Sequence, residues 1–225
     1  TDSDAHQFNG NLMLQYDARF EHIDSSTLVG VEYLDSSTRE RSVYDPTTPI
    51  DVANPVFTGV SSALTPYTAK KSDATTKAVF LQQNLSFYER FIVTAGMRND
   101  SMDLTSKGLQ SKEKDNFSET SYRGALTYIV NDEVSTYVSM VESVSPPQVG
   151  VTPQTGKQYE VGIKYEPAAI DGFIQLSAYQ IDQDNMLTND RDDPSLSVQS
   201  GSVRSRGVEL EGKVNVTDNL RVLAA

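Results

Sequence analysis

Few of the side chains that ordinarily do chemistry stand at chemical spacing in this chain. Cysteine is absent and histidine occurs 2 times, as His6 and His22. Without thiols there is no disulfide, no thiolate metal ligand and no cysteine nucleophile. Two isolated histidines supply neither the convergent ligands of a zinc site nor the base of a hydrolytic triad. The densest oxygen cluster is acidic: Asp182, Asp184, Asp190, Asp192 and Asp193 fall in one polar stretch. Such oxygens can hold calcium, but the spacing is irregular and no glycine centres it, so a solvated loop is the favoured reading. The expectation is therefore a protein that is not an enzyme, with no catalytic residue, resident metal or cofactor. A formal net charge of −12 also excludes nucleic acid as a partner, since that needs a basic face.

The elements that would position any site are strands. Period-two alternation recurs throughout, while helical periodicity is nearly absent. Residues 11–20 place Leu12, Leu14, Tyr16, Ala18 and Phe20 on one face and Asn11, Gln15, Asp17 and Arg19 on the other. Further runs follow at 27–39, 75–88, 91–98, 122–130, 134–142, 157–166, 173–182, 203–216 and 220–225, about ten strands in a chain of hairpins. The opposed faces differ sharply in polarity. Val161, Ile163 and Tyr165 alternate with Glu160, Lys164 and Glu166, and Val208 and Leu210 alternate with Glu209, Glu211 and Lys213.

The connections are of two kinds. Short turns alternate with long polar segments, at roughly residues 41–73, 105–118, 143–155 and 183–197. Loops that long are uncommon in a compact soluble domain. Short turns at one end and long loops at the other match a barrel with periplasmic turns and extracellular loops. The mean hydropathy of −0.43 agrees with such a barrel, in which every second residue is polar. A soluble antiparallel sandwich with one wet face explains the alternation equally well. The loop asymmetry favours the membrane barrel.

Three stretches carry a resemblance. The first is TSYRGALTYIVNDEVSTYVSMVESVSPP followed by GKQYEVGIKYEP, an Arg-Gly strand turning into a Tyr- and Ser-rich strand, then a Gly-Lys-Gln-Tyr-Glu strand. The second is AYQIDQDNMLTNDRDDP and the third VQSGSVRSRGVELEGK, with FLQQNLSF and FIVTAGMRND as a preceding hairpin. In this order they resemble the barrel of TonB-dependent siderophore receptors, and IDVANPV is similar to a loop of the hydroxamate (ferrichrome-like) type. The resemblance covers most of the chain from about residue 27 onward. It implies an all-β fold, an antiparallel up-and-down meander forming part of an outer-membrane transmembrane β-barrel of about 22 strands. Residues 1–225 would be one barrel segment, with the plug domain and the closing strands lying elsewhere.

The resemblance further implies a ferric siderophore as the transported ligand, outer-membrane lipid around the wall, and a TonB complex reached through the family's N-terminal part. The family binds its chelate on the extracellular side with aromatic residues. The aromatics of the longest loop, Tyr44, Phe57 and Tyr67, are the ligand candidates, Tyr44 foremost because it follows directly on a strand. Rings with a polar tip can cup an oxygen-clad complex; packing of the loop onto its neighbours is the plainer use of the same residues. Glu160, Lys164, Glu209, Glu211 and Lys213 would line the lumen and pair with a plug. Tyr128, Tyr137, Tyr159, Tyr165, Tyr179, Phe87 and Phe91 suit an interfacial girdle. A passive porin-like or structural barrel, an outer-membrane enzyme and a soluble binding module are the competing functions.

Overall fold

The computed structural model describes residues 2–43, 53, 66–189, 197–199, 201–217 and 219–225. Among them the chain forms one 10-stranded sheet and one small 2-stranded sheet. The large sheet contains β1 (Asp2–Arg19), β2 (Ile23–Ser42), β3 (Thr68–Phe87), β4 (Phe91–Lys107), β5 (Lys112–Asn131), β6 (Val134–Ser145), β7 (Gln154–Tyr165), β8 (Gly172–Asp184), β11 (Val203–Thr217) and β12 (Leu220–Ala224). They lie side by side in chain order, every pairing antiparallel. The expected meander of about ten strands is what forms. Between β8 and β11, β9 (Leu187–Asn189) and β10 (Ser197–Gln199) add a hairpin of their own, where a plain solvated loop was expected.

Register identifies the faces. Val93, Leu126, Val138, Val161, Ala178 and Val208 stand opposite one another across six strands. On β7, Tyr159, Val161, Ile163 and Tyr165 are exposed, while Gln158, Glu160 and Lys164 between them are half-buried and Gly162 is buried. The same alternation runs along β4. Curvature explains it: side chains on a concave face crowd one another, and those on a convex face splay apart. The apolar residues therefore line the convex, lipid side and the charged ones the concave side, as the sequence predicts. A charge on the convex face would cost about 2–4 kcal/mol near the bilayer midplane, which fixes this register.

Two expectations need correction. Residues 105–118 were expected to form a loop. Instead β4 and β5 remain paired to Lys107 opposite Lys112, leaving only residues 108–111 as the connection. At 20 residues, β2, β3 and β5 are about twice the length needed to cross a bilayer, so their upper halves stand in water as polar ribbons. Tyr137 and Tyr179 were assigned to the interfacial girdle. Register places both on the concave face, opposite Gly162 and Gly207. Phe87, Phe91 and Tyr128 do form a girdle row at the short-turn end, with Phe91 and Tyr128 stacked at 4.8 Å.

The short turns are locally determined. Asn131 Oδ1 accepts from the backbone N–H of Glu133 and Val134 at 2.9 and 2.8 Å, an Asx turn that closes β5–β6. At β3–β4 the turn puts Tyr88 and Glu89 at φ 52° and 56° and closes through Arg90 N–H to Phe87 O at 3.0 Å. Positive φ at both central positions suits the right-handed twist of a hairpin, though Asn-Gly is the preferred pair. Here the His22 ring stacks on Tyr88 at 5.0 Å and His22 O accepts the Tyr88 N–H, holding the turn from the neighbouring hairpin.

Candidate functional site

The concave wall is the only surface that combines charge, crowding and registered side chains from many strands among the described residues. Three of its glycines serve as seats for aromatic rings. A Cβ on Gly30 would lie 2.2 Å from Phe80 Cζ, one on Gly162 2.5 Å from Tyr137 Cε1, and one on Gly207 2.6 Å from the Tyr179 hydroxyl. In each case the ring belongs to the residue directly opposite. Laying the ring flat over a glycine covers bare backbone and locks the ring's rotamer, so that its edge or hydroxyl is aimed along the wall.

Two polar networks are built on these rings. The Arg98 guanidinium bonds Asp100 at 2.8 Å and Glu32 Oε2 at 3.1 Å, with its carbon 6.0 Å from the centre of the Phe80 ring. The Tyr137 hydroxyl donates to Glu160 Oε1 and accepts from Gln175 Nε2 at 3.0 Å, while Gln158 Nε2 donates to Glu160 Oε2 at 2.8 Å. Both networks join residues of three strands or reach across two, so they brace the wall against shear. The predicted lumen residues fall on the same wall. Lys164 and Glu211 flank Gln175, and Glu209 lies beside Ser177. Lys164 Nζ bonds Glu166 Oε1 at 2.9 Å and sits 4.9 Å from the Phe173 ring centre.

At the upper end, the connections are tied together. Gly150 N–H donates to Asp115 at 2.9 Å, and the Gln199 side chain bonds both the N–H and the carbonyl of Thr152, at 3.1 and 3.0 Å. Asn185 donates to the carbonyl of Pro153, which is fully buried. Above the apolar band on the outer face, Lys71 bonds Asp73 at 2.7 Å. That bond, then the Ser37 hydroxyl, holds the Asp73 carboxyl below the ordinary range.

Tyr67 is 64% exposed, and its N–H bonds Ser42 O at 3.1 Å, closing the base of the longest connection beside β2 and β3. Tyr44 and Phe57 lie outside the described residues, as do Asp190, Asp192 and Asp193. Asp182 and Asp184 both lie in β8, and Asp182 pairs with Arg204, whose hydrogen bond lowers its carboxyl pKa. Among the described residues no three acidic or imidazole groups converge on a metal position. The glycine–aromatic seats and the Arg98 network were not found from the sequence, because neither shows until strands are aligned.

The family model described as TonB dependent receptor-like, beta-barrel, matches residues 1–225. The ferrioxamine B receptor of Salmonella typhimurium is 31% identical over 212 residues, covering 90% of this chain and 30% of that protein. The ferrichrome outer membrane transporter/phage receptor of Escherichia coli K12 is 28% identical over 243 residues, covering 100% of this chain and 32% of that protein. The chain thus spans about a third of the length of the curated relatives it matches. Among solved structures, the ferric preacinetobactin receptor BauA from Acinetobacter baumannii superposes with a TM-score of 0.74 over 98% of this chain and 36% of its own, at 20% identity. The unliganded ferric citrate transporter FecA gives 0.78 over 94% and 32%, at 16% identity. With an apolar convex face, a charged concave wall and a full-length match to the family model, the chain belongs to the TonB-dependent receptors, as a segment of their outer-membrane β-barrel.

Proposed function

We propose that this chain forms part of the wall of an outer-membrane receptor that actively takes up ferric siderophores, energised through TonB. The hydroxamate class is the first choice of chelate, because the relatives at 31% and 28% identity are named for ferrioxamine B and ferrichrome. The observation that carries the reading is the wall itself. Its concave side holds fixed, mutually bonded charges such as Arg98, Glu32 and Asp100, which suit a lumen filled by protein better than one filled by mobile ions. Tyr44, Phe57 and Tyr67 are proposed to contribute to the chelate site at the extracellular mouth.

The test is uptake of radio-iron as ferrioxamine B or ferrichrome by cells carrying the whole receptor, with and without a functional TonB complex. Uptake that saturates and disappears without TonB supports the reading. Non-saturable uptake that persists without TonB supports a passive barrel instead. Failure of both hydroxamates alongside uptake of a catecholate complex would keep the receptor but move the substrate class.

A further inference from the structure

Backbone pairing between β7 and β8 ends with Thr155 opposite Asp184. Just above it stands Pro153, which is fully buried and has no N–H to offer a ladder. Past this point two side-chain amides take the place of peptide groups. Asn185 Nδ2 donates to Pro153 O at 3.1 Å. Gln199 Oε1 accepts the Thr152 N–H at 3.1 Å, and its Nε2 donates to the carbonyls of Thr152 at 3.0 Å and Asn185 at 3.2 Å. Both hydrogens of the Gln199 amide thus have acceptors and its oxygen has a donor. Asn185 holds φ 60°, a region that asparagine tolerates. Gln199 is the last residue of β10 and Asn185 lies just before β9, so the β9–β10 hairpin stands on this junction. The other end of the same connection is held lightly. Residues 148–151 close a turn through Val151 N–H to Gln148 O at 3.1 Å, with Gly150 at φ 81°. From that turn the Gly150 N–H makes its exposed bond to Asp115, which stands opposite Leu104 on the concave side of β5. The connection therefore leans over the lumen mouth, firmly fixed to the β8–β11 side and lightly tied to β5.

We propose that Gln199, assisted by Asn185, is a positioning residue for chelate binding: it joins residues 146–153 and the β9–β10 hairpin into one body, so that an incoming chelate meets a surface already set. This rests on the reading of the chain as part of a siderophore receptor. The polar capacity of the Gln199 amide is taken up by backbone groups, which leaves none for the chelate and makes the residue a coupling, not a contact. An exposed hydrogen bond contributes little alone, but three on one planar amide fix both separation and orientation. Backbone pairing cannot supply the same tie, because Pro153 interrupts it. Without the amide the two connections would have to be brought together at the moment of binding, and that ordering opposes association. The consequence is kinetic: a lost contact speeds dissociation, whereas a lost alignment lowers the fraction of receptors ready to bind and so slows association.

The experiment uses the full-length receptor with Gln199→Ala, with Asn185→Asp, and with Thr152→Cys and Gln199→Cys joined by a short bis-maleimide. Three quantities are read: heat-modifiable gel mobility for barrel assembly, the association and dissociation rates of ferrioxamine B, and the distance between spin labels carried by Gln148→Cys and Thr188→Cys, two exposed positions on the two connections. The label pair should give one narrow distance in the otherwise unchanged receptor, with or without chelate. Gln199→Ala is expected to broaden it and to slow association about tenfold, as when the aligned fraction falls to roughly a tenth, with dissociation within about twofold and assembly kept. Asn185→Asp keeps the positive φ but loses the donor to Pro153 O, so it should broaden the distance and slow association less. The bis-maleimide should restore the association rate although the amide is gone. Gln199→Ala that assembles with a narrow distance and unchanged rates overturns the proposal. So does faster dissociation at a narrow distance, or a cross-link that restores nothing, since either would assign Gln199 to the chelate itself. If Gln199→Ala fails to assemble, Asn185→Asp decides: a narrow distance with unchanged association in that variant overturns the proposal. A wild-type receptor that binds neither ferrioxamine B nor ferrichrome refutes the substrate reading alone; the label distances need no chelate and then decide whether the two connections are one body.

Discussion

Gly162→Ala is expected to destabilise the barrel far more than one methyl group suggests. The added carbon would stand 2.5 to 2.7 Å from Cε1, Cζ and the hydroxyl of Tyr137, so the ring has to lift. Forcing an extra carbon into a filled site costs about 1–3 kcal/mol. The displaced hydroxyl also leaves Glu160 and Gln175, and losing a hydrogen bond to a charged, half-buried group adds roughly 1.5–3 kcal/mol. Relaxation will trim the sum, so we expect about 2–5 kcal/mol in all. The assay is denaturant unfolding of the full-length receptor in lipid, as a double-mutant cycle with Tyr137→Ala. Once the ring is gone, Gly162→Ala should be neutral or gain about 0.5–1 kcal/mol from the lower backbone entropy of alanine. A cost below about 0.5 kcal/mol in the wild type, or an equal cost in both backgrounds, refutes the claim that the ring is seated on the glycine.

Val161→Lys should lower unfolding free energy by about 2–4 kcal/mol in the same assay, and Glu160→Lys should leave the lipid face untouched while changing conductance; a harmless Val161→Lys would mean the faces are reversed. Glu89→Gly should stabilise the β3–β4 turn by up to about 1–2 kcal/mol, since glycine adopts positive φ without strain; a loss of stability would show that the turn is held by the Glu89 side chain. Tyr44→Ala should weaken ferrioxamine B binding about tenfold through lost ring contact and one hydrogen bond, Tyr44→Phe less, with normal assembly of both; unchanged affinity removes Tyr44 from the site.

The strands, their order and their faces were legible because a lipid boundary imposes a strict pattern. Every second residue from Phe91 to Met97 is apolar, and the short turn at residues 88–90 sets the register to the preceding strand. The upper halves of the strands were not legible, for a related reason. Above the apolar band the alternation of β4 changes phase after Asn99, with Asp100, Met102 and Leu104 buried on the concave side and Ser101 and Asp103 exposed outward, while pairing continues to Lys107. The end of an apolar pattern marks the end of the lipid, not the end of the strand. Asp184 was missed in the same way: expected in the loop at 183–197, it is a paired strand position opposite Thr155.

The wall chemistry was hidden by a different limit. Gly30 with Phe80, Gly162 with Tyr137 and Gly207 with Tyr179 each sit across a junction closed by a long upper connection, not across a short turn. A short turn fixes register from local sequence. A connection as long as residues 43–67 or 185–202 leaves it open by several residues, and a one-residue slip carries Phe80 or Tyr137 from lumen to lipid. Across those junctions the paired glycines and rings are therefore part of what selects the register. A slipped alignment would strand Tyr137 and Glu160 without each other and set a bulky side chain where the glycine now accepts a ring. Alignment across these junctions is consequently carried by the wall itself, so a change in the length of the connection above should leave the pairing below it in place.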